Sequence, residues 1–108
     1  MPVEPDLSRF QPIDNETVAV NGLTALTQAK AGLAYLAEIV CEANPIRYTK
    51  AGAAPTAANG ILAGAGERFY LWHLELMGFL AINTGAAATL QVHYYVPRAG
   101  TRFFRDAL

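Results

Sequence analysis

The chain has 108 residues and a formal net charge of −1; hydrophobic residues are 53% of it and charged residues 16%. That length is one domain with a modest core, and the composition is too apolar for a disordered chain. The near-neutral charge gives no case for nucleic acid or an anionic membrane as partner, and no apolar run reaches the roughly 18 residues that a membrane-spanning helix needs.

Residues 1–16 hold Pro2, Pro5 and Pro12, which remove amide donors and bias their predecessors to extended geometry. With Glu4, Asp6, Asp14 and Glu16 against Arg9, this stretch reads as an acidic extended arm. Phe10 and Ile13 are its apolar anchors, placed to dock on another surface. It has neither the basic start nor the apolar run of a signal peptide.

A domain at residues 17–97 follows. Residues 17–26 alternate loosely, with Val18 and Val20 on one face, and Asn21 followed by Gly22 is a turn or bulge signal; the reading is a strand or hairpin. Residues 28–32 read as a loop. Residues 33–42 fit two periods: Leu33, Leu36, Ala37, Val40 and Cys41 make a helical stripe, whereas Tyr35, Ala37, Ile39 and Cys41 make one face of a strand. Residues 46–49 are a strand, 51–60 a loop, 61–62 a short strand, and 63–66 a glycine turn. Residues 68–71 are a strand, which 74–77 either continue or leave to cross the end of a sheet. Residues 79–83 are a strand, 84–86 a turn, and 89–96 the clearest strand of all. There Leu90, Val92, Tyr94 and Val96 alternate with Thr89, Gln91, His93 and Tyr95, and Pro97 ends the run.

Residues 98–108 form a tail in which Arg98, Arg102 and Arg105 stand against Asp106, with Phe103, Phe104 and Leu108 as apolar contacts. An acidic front arm and a basic, aromatic tail are complementary, and in an assembly each can bind a neighbour. The low share of charged residues likewise predicts that part of the surface is covered by a partner. Short strands joined by glycine turns predict an all-β fold, an antiparallel sandwich or small barrel of jelly-roll or immunoglobulin-like kind.

Signs of chemistry are few. His73 and His93 lie in strand-like stretches, and a zinc site would need two further good ligands where Cys41 is the only thiol. Cys41, flanked by Ile39 and Val40, reads as a core cysteine; unable to form an internal disulfide, it points to assembly in a reducing cytosol. Ser8, the only serine, sits in the arm. Glu38, Glu42, Glu67 and Glu75 could supply a carboxylate pair for glycoside hydrolysis only if a cleft gathered two of them. Gly60, Gly64 and Gly66 precede a strand signal, not the helix a phosphate loop requires, and so read as turn glycines. Tyr70, Trp72, Tyr94 and Tyr95 are either core and subunit contacts or a stacking platform for sugars or bases. Asn15, Glu16 and Thr17 match a glycosylation sequon, which means nothing without secretion. No enzymatic activity, cofactor or metal is expected.

One stretch is familiar. AYLAEIVCEANPIRYTKAGAAPTAANGILAGAGERFYLW, residues 34–72, runs as a strand, an IRYT strand, a loop ending in Pro55 and Thr56, a glycine, a short apolar pair and an Ala-Gly turn. With FLAINTGAAATLQVHYY, residues 79–95, as a closing hairpin, it resembles small virion proteins of tailed bacteriophages. Ala51 stands where that loop usually has an aspartate before the glycine, so the aspartate's cap on the loop is lost. A similar loop occurs in sandwich modules appended to carbohydrate-active enzymes. The resemblance implies that residues 33–42 are a strand. It also implies a head-associated sandwich, a decoration or cement protein on the capsid surface, assembled in the host cytoplasm. Its expected partners are further copies of itself, a trimer being one arrangement, and the major capsid protein. The expected contact residues are Phe10, Ile13, Arg98, Arg102, Phe103, Phe104 and Arg105. The alternative is a carbohydrate-binding module, or a tail- or fibre-associated component.

Overall fold

A computed structural model of the protein describes residues 5–98. After a 3-10 turn at Leu7–Arg9 come β1 (Phe10–Val20), β2 (Thr24–Ala25), α1 (Gln28–Ala31), β3 (Leu36–Ala43), β4 (Ile46–Thr49), β5 (Ile61–Ala63), β6 (Arg68–Trp72), α2 (His73–Leu76), β7 (Leu80–Asn83) and β8 (Ala88–Pro97). The strands form two four-stranded sheets, ordered β1-β8-β3-β6 and β2-β7-β4-β5. Every pairing is antiparallel, and β1 pairs with β8, β2 with β7, β3 with β6 and β4 with β5. That is one long hairpin rolled over on itself, with β3–β8 and β4–β7 zipping the roll shut. The fold is a jelly-roll sandwich, and it takes the place of the immunoglobulin-like and closed-barrel alternatives.

The alternation of β8 places Leu90, Val92 and Tyr94 inward, where the register sets them beside Cys41, Ile39 and Ala37 of β3. All six are buried in the main core cluster with Ile46, Tyr48 and Ala81 from the other sheet. The Tyr48 and Phe69 rings stack across the sandwich at 4.3 Å and 8°, joining β4 of one sheet to β6 of the other. Such offset or parallel ring pairs add to the area they bury. Alanines at 37, 63, 81 and 88 are buried in that cluster, so part of the alanine content is core and lets the sheets approach.

Residues 10–16 are not an arm. They open β1, whose pairing with β8 runs from Phe10 opposite Pro97 to Val20 opposite Ala88, with a bulge between Pro12 and Asp14. Pro12 and the bulge are tolerated because β1 is an edge strand. Its outer rim is partly covered by Lys30 of α1, whose Nζ donates to Asp14 Oδ1 (3.1 Å) and to the Asn15 carbonyl (2.8 Å). Phe10 is buried, 1% exposed, in a second cluster with Leu36 and Tyr95 on the outer face of the first sheet.

Other differences are smaller. Residues 28–31, read as loop, make the single helical turn α1, and 73–76 make α2 in place of more strand. Residues 17–26 are not a hairpin: after the turn at Gly22 (φ +100°) the chain crosses to the other sheet. Residues 36–42 are strand, as the resemblance implied.

Candidate functional site

The roll gives the sandwich two unlike ends. At one, strands join through short turns: 21–23, 44–45, 64–67 and 84–87. Asn44 there takes a left-handed conformation (φ 62°), which asparagine accommodates, and its Nδ2 donates to the Ala87 carbonyl at 2.9 Å. At the other end lie every long connection, 26–35, 50–60 and 73–79, and both points where the chain leaves the described residues.

The long-loop end is apolar. Leu33 is 76% exposed, Leu74 83%, Met77 52% and Trp72 39%. They belong together: a Cβ built at Gly32 would lie 3.9 Å from Met77 Sδ, which sets Leu33 beside α2. Tyr35 stacks on His73 at 4.7 Å and meets the Trp72 edge at 5.8 Å, and Phe10 lies 6.1 Å from each of Tyr35 and Trp72. Beneath the exposed leucines the scaffold is firm. Glu75 accepts from the Trp72 amide (2.9 Å) and pairs with Lys50 (3.4 Å). The 50–52 chain crosses so near Gly78 that a Cβ there would stand 2.7 Å from the Lys50 carbonyl oxygen, and the Gly52 amide bonds the Gly78 carbonyl at 2.9 Å. The exposed Ala51, Ala53 and Ala54 extend this weakly polar surface. Apolar side chains of this size on connections are the usual mark of an interaction surface.

The outer face of the first sheet carries a second feature. Register aligns Asn15, His93, Glu38 and Tyr70 in one row and Thr17, Gln91, Val40 and Arg68 in the next. Between them is an open recess of about 250 Å³ lined by Glu38, Val40, Glu42, Arg68, Gln91 and His93. Its polar groups largely serve one another. Glu38 accepts from Tyr95 (3.1 Å) and pairs with Arg68 (3.3 Å), while Gln91 donates to Glu42 and accepts from Thr17, both at 2.9 Å. The Tyr95 hydroxyl is pushed up from its usual range by burial and by Glu38.

Of the residues expected to make contacts, Phe10 is core and Ile13 projects at the β1 bulge. Arg98 is tied down, its amide bonding the Arg9 carbonyl (3.0 Å) and its Nε donating to the Ser8 carbonyl (2.8 Å). Arg102, Phe103, Phe104 and Arg105 lie outside the described residues. Cys41 is buried, its thiol directed at the Asn44 carbonyl (3.1 Å) and pushed up by desolvation and then by Glu67; such a thiol is a poor nucleophile. His73 and His93 stand apart, one on α2 and the other on β8. Among the described residues no three His, Cys, Asp or Glu side chains gather as a metal site would require.

Sequence reasoning did not single out the exposed Leu33, Leu74 and Met77. The available signal was their position, large apolar residues on connections where no strand face could absorb them. It also missed Glu16, whose carboxylate accepts from the Thr27 amide (3.2 Å), the Thr27 hydroxyl (2.5 Å) and the buried Tyr94 hydroxyl.

No protein-family model, no curated protein and no solved structure matches this chain.

Proposed function

We propose that this protein is a non-enzymatic structural component of a tailed-bacteriophage virion, a capsid decoration or cement protein that self-associates and binds the major capsid protein at the head surface. The fold alone does not choose this function, since jelly rolls also serve lectins and cupins. The observation that carries the proposal is the apolar long-loop end, where Leu33, Trp72, Leu74 and Met77 stand on a rigid base beside both chain exits. A monomer gains nothing from that arrangement, whereas an assembly buries it. Two observations weigh against the neighbouring readings. The inward faces are packed with apolar side chains and hold no buried charged residue among those described, which leaves no room for a site inside the roll. The rings of Phe10, Tyr35, Trp72 and His73 pack on one another instead of forming the flat exposed strip that sugar stacking uses.

The test is mixing purified protein with undecorated heads, with static light scattering on the protein alone. The expected result is an oligomer in solution, saturable co-sedimentation with heads, and heads that melt at higher temperature. A monomer at micromolar concentration that ignores heads and binds immobilised glycans would overturn the proposal in favour of the carbohydrate-binding alternative.

A further inference from the structure

We infer that the apolar long-loop end is the seat of residues 99–108 of a neighbouring copy, so that exchanged tails close the oligomer. The inference rests on the self-association proposed above and names the two surfaces that meet.

Three observations select this occupant. The first is chemical complementarity. Residues 99–108 contain Arg102, Phe103, Phe104 and Arg105 in succession; residues 1–4, the other segment outside the described part, are Met, Pro, Val and Glu and bring no ring. Met77 and Leu74 offer the polarizable and aliphatic surface that takes a phenyl ring. The half-exposed face of Trp72 suits a guanidinium. The second is position: the chain leaves the described part at Arg98, at this same end of the sandwich.

The third is reach. Arg98 is pinned to the β1 flank by its bonds to Arg9 and Ser8. Leu74 and Met77 follow β6, two places from β8 in the sheet, or roughly 10 Å across. Ten residues reach about 33 Å when extended, enough to cross to an adjacent molecule. Tail into end is a heterologous contact, the kind that generates a ring when its rotation closes.

Single-cysteine variants test this cleanly, because Cys41 is buried and the introduced thiols stand alone. Leu74→Cys and Phe104→Cys are made separately, mixed, oxidised mildly and run on non-reducing denaturing gels. Leu74 is almost wholly exposed, so its replacement does not touch the core. The expected result is a cross-linked dimer forming several-fold faster in the mixture than in either variant alone, and deletion of 99–108 shifting the oligomer to monomer in light scattering. The inference is overturned if the Leu74→Cys/Phe104→Cys double variant links within one chain, if Leu74→Cys alone links as fast as the mixture, or if no link forms. An oligomer that survives the deletion refutes the tail contact and leaves self-association standing. A full-length chain that is monomeric and ignores heads refutes both.

Discussion

Replacing Glu16 with alanine tests how an acidic residue on an edge strand holds the core. Register turns Glu16 inward, opposite Val92, where one carboxylate serves Tyr94 and both donors of Thr27, the residue that opens α1. Tyr94 has no solvent exposure, so without Glu16 its hydroxyl is buried unpaired, which costs about 1–3 kcal/mol. The Thr27 groups are exposed and recover water, adding only about 0.5–1 kcal/mol. Glu16→Ala should therefore destabilise by about 2–4 kcal/mol, a fall in Tm of roughly 10–20 °C for a domain near this size. Tyr94→Phe removes the donor and lets the carboxylate turn to solvent, at a cost of about 1–2 kcal/mol. In the Tyr94→Phe background the alanine should cost only about 1 kcal/mol, since the group it would strand is gone. A double-mutant cycle from urea melts measures the coupling. If Glu16→Ala costs under about 0.5 kcal/mol, or the two changes simply add, the carboxylate does not hold the tyrosine.

Leu90→Ala should cost about 2–5 kcal/mol and Val92→Ala about 1–3 kcal/mol, both being fully buried; neutral urea melts for both would contradict the inward face of β8. Gly78→Ala should destabilise by about 1–3 kcal/mol, because its methyl would press on the Lys50 backbone at the crossing of two connections; a thermal melt unchanged from the parent would show that the crossing yields. Deleting residues 1–14 should unfold the domain, since it removes the Phe10 end of β1 and uncovers Leu36 and Tyr95; a cooperative melt at the parent temperature would contradict the pairing. Stability should begin to fall near pH 9, where the unfolded chain loses the proton of the Cys41 thiol that burial holds up in the fold, and fall further above about pH 10. Burial, ahead of neighbouring carboxylates, raises the Tyr94, Tyr48 and Tyr95 hydroxyls above the ordinary 10.0. The unfolded chain therefore loses those protons first, and the folded state loses ground as pH rises, by up to about 1.4 kcal/mol per unit for Tyr94. Urea melts between pH 9 and 11 should show a shallower fall for Tyr94→Phe; an unchanged slope would remove Tyr94 as its cause.

The strands legible in the sequence were those whose two faces have different surroundings. In β8 the inward Leu90, Val92 and Tyr94 meet the core while Gln91 and His93 meet water, so period two was plain. In β3 the same alternation exists, but Leu36 on the outer face is buried beneath Phe10 and Tyr95, and that extra apolar position completes a helical stripe. β1 was illegible at its start for the opposite reason. Its polar residues face solvent or an edge, so nothing local favours a strand, and the pairing energy comes from β8 some 80 positions away. Composition could raise the expectation of a partner surface, yet it could not locate the apolar end, because Leu33, Leu74 and Met77 come to one end only through the roll.

The roll also explains why the two ends differ. In one rolled hairpin, alternate connections fall at opposite ends, so loop length at each end varies independently of the sheets. Here the end with 21–23, 44–45, 64–67 and 84–87 has nearly minimal turns, which conserve chain and expose few apolar side chains beyond Leu23. The other end spends its longer connections on Leu33, Leu74 and Met77 and anchors them with Glu75, Lys50 and the Gly78 crossing. If those residues served only to fill space they would turn inward, where α1 and α2 bury Ala31 and Leu76. Each short helix thus has one residue fastened to the core and, within two positions of it, a large apolar residue facing out. That division fits a surface held in shape before its partner arrives, which lowers the ordering cost of binding.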